Sequence, residues 1–95
     1  MKIQVTQEDI STSLNLMNNR NAIIAFSCPV AIAMKRVTGF ECMVGVDTVK
    51  VDWNNYSIPQ IFYPLPEHVI KFIDSLILIM NKPNLVQPFE FEIAY

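Results

Sequence analysis

Four separate stretches of this chain carry large apolar residues at every second position. Ile3 and Val5 share one face against Lys2, Gln4 and Thr6. Cys42, Val44 and Val46 share another, as do Val49, Val51 and Trp53. At the far end Phe89, Phe91, Ile93 and Tyr95 alternate against Glu90, Glu92 and Ala94. A period of two is the signature of a half-buried strand. Strands with one apolar face are covered on one side only, which calls for an antiparallel sheet with helices on that side.

Helical signals fall between the strands. Thr6 ahead of Gln7-Glu8-Asp9 reads as an N-cap with acids in the first turn, where they suit the helix dipole. Ile10, Leu14 and Met17 follow at helical spacing, and Asn15, Asn18, Asn19, Arg20 and Asn21 end the element in a polar loop. A second helix opens at Ser27-Cys28-Pro29, with Ser27 as its expected cap and Gly39 as its stop after Thr38. Its apolar stripe is Val30, Ala33, Met34 and Val37. Ile32 lies opposite, between Lys35 and Arg36, and is expected in solvent. A third helix opens at Pro66-Glu67 and runs to about residue 80, with Val69, Phe72, Ile73, Leu76, Ile77 and Met80 on its apolar face. Leu78 sits in its polar stripe with Glu67, Lys71 and Asp74.

The two central stretches form a hairpin. A loop at Asp47-Thr48 places Val46 opposite Val49, Val44 opposite Val51 and Cys42 opposite Trp53, all on one face. Asp-Thr is poor chemistry for the favoured hairpin turns, so a one-residue displacement of the loop is compatible with the same pattern. The proline-rich segment 54–66 holds a short edge strand around residues 60–63. The resulting order is expected to be an α+β, ferredoxin-like βαββαβ arrangement: one domain over residues 1–95, an antiparallel sheet, and helices packed on one face.

Composition narrows the function classes. Apolar residues make up 52% of the chain and charged ones 17%, which excludes disorder and suggests a sticky surface. A 95-residue domain buries a small core, so oligomerisation or a partner is the expected source of further burial. Segment 69–80 is broken by Lys71 and Asp74 and is too short to span a membrane. The N-terminal residues carry no apolar signal core, so a cytoplasmic location with reduced thiols is expected. A net charge of −2 gives no field to attract nucleic acid. The aromatics of the alternating stretches face the core rather than an open sheet, which also disfavours base stacking. One histidine and two unclustered cysteines make no metal site, and no cofactor motif is present.

Three chemical readings deserve weighing against plain structural roles. Cys28 at a helix N-terminus could be a reactive thiol with His68 as its base, but a small buried residue in a first turn looks the same in sequence. Ser27, Cys28, Lys35 and Arg36 could contact an anionic, nucleotide-type ligand at that helix start. The only glycines, Gly39 and Gly45, form no phosphate loop. Glu90 and Glu92 on one strand face read as solubilising charge. Ile32 and Leu78, apolar within polar faces, mark a candidate interface for self-association or docking.

Several stretches together resemble a family of small proteins encoded by bacteriophages and prophages. They are Lys2-Ile3-Gln4-Val5-Thr6, Cys28-Pro29-Val30-Ala31-Ile32-Ala33, Leu65-Pro66-Glu67-His68-Val69-Ile70-Lys71-Phe72-Ile73 and Pro88-Phe89-Glu90-Phe91-Glu92-Ile93. The resemblance transfers no functional residue. It implies a phage accessory role in the host cytoplasm, for which binding and blocking a host protein, such as a component of anti-phage defence, is the leading expectation. A homo-oligomeric sponge for a small nucleotide-type ligand comes second, and a thiol enzyme using Cys28 third.

Overall fold

Two strands far apart in the sequence meet. In the computed structural model, which describes residues 1–17, 24–52, 62–75 and 87–93, strand β1 (Lys2–Val5) pairs antiparallel with β5 (Phe89–Glu92). Ile3 stands opposite Phe91 and Val5 opposite Phe89. Ile3, Val5, Phe91 and Ile93 are buried, while Lys2, Gln4, Glu90 and Glu92 face out, as the alternation requires. The backbones of Met1 and Ile93 exchange two further hydrogen bonds, each 3.0 Å, which extend the ladder.

Helix α1 (Gln7–Met17) begins where expected, and its cap is reciprocal. The Thr6 hydroxyl accepts the Asp9 N–H at 3.2 Å, and the Asp9 carboxylate accepts the Thr6 N–H at 2.9 Å. A short helix, α2 (Ile24–Ser27), precedes α3 (Pro29–Thr38). Ser27 does not cap α3: it closes α2, and its carbonyl accepts the Ser13 hydroxyl at 2.6 Å. Cys28 is the N-cap residue, because Pro29 occupies the first turn. At the other end Gly39 adopts φ 79°, and its N–H closes the helix on the Lys35 carbonyl at 2.8 Å.

Helix α3 is the hub of the fold. It packs against α1, α2, β1 and β2, and Val30, Ala31, Ala33 and Met34 are all buried. Contact on several sides explains two departures from the expected stripe. Ile32 is half-buried rather than in solvent, and Val37, in the final turn, is 40% exposed.

The central hairpin pairs β2 (Cys42–Val44) with β3 (Thr48–Val51), and β4 (Phe62–Pro64) adds an edge strand antiparallel to β3. Cys42 lies opposite Val51 and Val44 opposite Val49. The Gly45 N–H meets the Thr48 carbonyl at 2.8 Å, so the connecting residues are Val46 and Asp47 rather than Asp47 and Thr48. A one-residue displacement of the loop shifts the register by two, which preserves the faces: Cys42, Val44, Val49 and Val51 are all buried. Val46 instead sits at the tip, 71% exposed. Trp53, expected opposite Cys42, lies outside the described residues, as do Leu76, Ile77, Leu78, Met80 and Tyr95.

The described strands form two antiparallel sheets, β1-β5 and β2-β3-β4, not one. The protein is therefore α+β with two small sheets, and α3 touches a strand of each. Helix α4 (Glu67–Asp74) buries Val69 and lays Phe72 against Phe89, ring centroids 4.7 Å apart. One apolar cluster joins both sheets and the helices, with Ile3, Ile10, Val30, Met34, Val49 and Val69 fully enclosed. No helix among the described residues is long and apolar enough to cross a membrane.

Candidate functional site

The residues singled out around the start of α3 do not converge on an open site. Cys28 is enclosed, 2% exposed, and burial pushes its thiol up; hydrogen bonding from the backbone of the first α3 turn offsets that only in part. A thiol raised in this way is almost wholly protonated at neutral pH and is a poor nucleophile. His68 is exposed on α4, where its Nε2 lies 3.0 Å from the Glu90 carbonyl and its ring stands edge-on to Phe89. Cys42 is also a buried free thiol, pushed up by burial, with the Thr38 hydroxyl 3.7 Å away.

Arg36 and Lys35 are already engaged. The Arg36 Nε and Nη2 donate to the two carboxylate oxygens of Asp9 at 3.1 and 3.0 Å, and Nη2 also donates to the Gln4 carbonyl at 2.6 Å. Burial alone would raise the Asp9 pKa. The hydrogen bonds from Arg36 and Thr6 outweigh it and hold the carboxyl below its ordinary value. Asp9 in turn pushes the Arg36 guanidinium up. The cluster ties the start of α1 to α3 and β1. Lys35 pairs with Glu41 at the surface. Ser27 is buried, and its carbonyl is used by Ser13.

The outer face of the β2-β3-β4 sheet is different. Met43, Lys50 and Phe62 lie opposite one another across the three strands, so their side chains form a single row. Met43 and Lys50 are half-buried, and Phe62 is 54% exposed. Pro64 and Thr48 form the next row toward the hairpin tip, where Val46 protrudes. Lys50 has no ion pair among the described residues, whereas Lys2, Lys35, Arg36 and Lys71 each have one. No motif in the sequence announces this row. It exists because the edge strand carries Phe62 in register with Lys50, a pairing between segments a dozen residues apart.

A shallow groove of about 430 Å³ crosses the end of the β1-β5 sheet. It is lined by the apolar Val5, Pro88 and Phe89 and by the polar Gln4, Thr6, Gln7 and Glu90. Among the described residues no three histidine, cysteine or acidic side chains cluster as metal ligands. Comparison with known proteins returns no matching family model, no matching curated protein and no matching solved structure.

Proposed function

We propose that this chain is a non-catalytic binding protein of phage or prophage origin. It acts in the host cytoplasm by docking on a host protein, for which a component of anti-phage defence is the leading candidate. The observation that supports this reading is that the two most exposed large apolar side chains among the described residues, Val46 and Phe62, both lie on the hairpin sheet. Phe62 is 54% and Val46 71% exposed, although the chain has a core for such side chains to join. Burying either one against a partner stabilises a complex by about 1.5–3 kcal/mol.

The nucleotide-sponge reading has weaker support, because Arg36 and Lys35 are held in ion pairs with Asp9 and Glu41. The thiol-enzyme reading is weaker still, since Cys28 is enclosed. A ferredoxin-like βαββαβ frame and self-association through Ile32 and Leu78 belong to the same proposal. The first draws support from the pairing of the first and last strands with helices between them.

Native mass spectrometry of the protein recovered from a bacterial host tests the reading, since it reports stoichiometry and any retained protein together. Wild type is expected to carry a host protein that a Val46→Asp, Phe62→Ser variant of unchanged circular dichroism releases. A bare monomer for both would refute docking through this face.

A further inference from the structure

Resting on the binding role just proposed, we infer that the outer face of the β2-β3-β4 sheet docks a partner segment carrying a carboxylate between two apolar side chains. The partner's chemistry follows from the row Met43–Lys50–Phe62, which is apolar, cationic and apolar in order across the strands. Lys50 is half-buried, while Lys2, Lys35, Arg36 and Lys71 are all exposed. It is also the one described lysine or arginine without an ion pair among the described residues.

Each feature selects something. The exposed lysines gain little from their pairs, because water screens them. A lysine walled by Met43 and Phe62 has less water to lose and gains more from a carboxylate delivered to it. Phe62 beside it supplies apolar area that excludes water from the pair, as a ring around a buried contact does. A polyanion fits poorly, because the row holds one cation, Lys50, enough to meet a single carboxylate and too few to neutralise successive phosphates.

The test selects a displayed library of random twelve-residue peptides on the full chain, then measures the enriched peptides by fluorescence polarisation. Enriched sequences are expected to carry Asp or Glu between large apolar residues. Exchanging that acid for its amide should weaken binding roughly 10- to 100-fold. Lys50→Met, which keeps the apolar stem, should abolish the preference for acid over amide, and Lys50→Glu should shift it toward basic peptides. Circular dichroism confirms that both variants fold. Peptides without an acid, or an acid preference unchanged by Lys50→Met, overturn the inference. If such peptides still need Phe62, the docking face stands and only the carboxylate assignment fails; if neither Lys50 nor Phe62 matters, the face itself fails. Two parallel measurements name the rival occupants. Lys50-dependent binding of a single-stranded 20-mer RNA would assign the face to nucleic acid. Sedimentation showing self-association lost in Lys50→Met would assign it to a second copy.

Discussion

Replacing Asp9 with Ala removes one carboxylate and, with it, three attachments. The carboxylate accepts the Thr6 N–H at 2.9 Å, the Arg36 Nε at 3.1 Å and the Arg36 Nη2 at 3.0 Å. Loss of the capping interaction destabilises a helix by about 0.5–2 kcal/mol. The ion pair adds less than a buried one would, because the Arg36 side chain is 48% exposed and rehydrates when its partner leaves. Together the expected loss is about 2–3 kcal/mol, a large share of the roughly 5–15 kcal/mol that holds a small domain folded. For a chain of this size it lowers the thermal midpoint by about 8–20 °C. Urea unfolding followed by far-ultraviolet circular dichroism measures it directly. Asp9→Asn should recover part of the loss, since its side-chain oxygen still accepts the Thr6 N–H. The pH dependence has a definite sign. The folded-state carboxyl lies below its unfolded value, so its contribution is complete above about pH 4 and is lost as pH falls through the folded-state value. The gap between wild type and Asp9→Asn should therefore narrow in acid. A loss within about 0.5 kcal/mol for Asp9→Ala at pH 7, the range of ordinary surface changes, would show that the cluster is decorative.

Phe91, 3% exposed and opposite Ile3, should cost about 3–5 kcal/mol when changed to Ala, enough to blunt or abolish a cooperative thermal transition. Gly39→Ala meets no atom within 4 Å but must hold φ 79°, so a loss of about 1 kcal/mol in chemical denaturation is expected from backbone strain alone. Cys28 and Cys42 should react with a thiol reagent at pH 7 only as fast as the protein opens; rapid labelling of the native chain would contradict their enclosure.

The alternation of the terminal strands was enough to place Ile3, Val5, Phe91 and Ile93 inside, whereas their pairing with one another follows from the order of the elements and not from the pattern. It could not reveal that the hairpin stands in a separate sheet, because a strand's own pattern carries no record of which distant strand it meets. The hairpin illustrates the same limit on a smaller scale. Period two determines which face is buried, but registers two residues apart satisfy it equally, and Val46 moved from the core face to the tip. The α3 cap was legible and misread: proline in the first turn assigns the cap to Cys28, whatever the appeal of Ser27. The Asp9–Arg36 pair joins residues 27 apart, and no local signal links them. The Met43–Lys50–Phe62 row likewise becomes visible only once the edge strand is in register.

The pairing of β1 with β5 has a consequence for how the chain is made. Ile3 and Phe91 are partners in the ladder, so β1 leaves the ribosome well before the strand it pairs with. At roughly 5–20 residues per second, β1 spends several seconds or more with no β5 beside it. During that interval its backbone groups and the Ile3–Val5 face are open to any neighbouring nascent chain. The hairpin, closed by Val46 and Asp47 alone, faces no such delay. Joining the ends across a loop of this length is entropically dearer than closing the hairpin by several times RT, on the logarithmic scaling of loop closure. Lys2, whose charge lies at the outer face of β1, is the residue positioned to discourage edge-to-edge association until Phe89, Phe91 and their glutamates arrive.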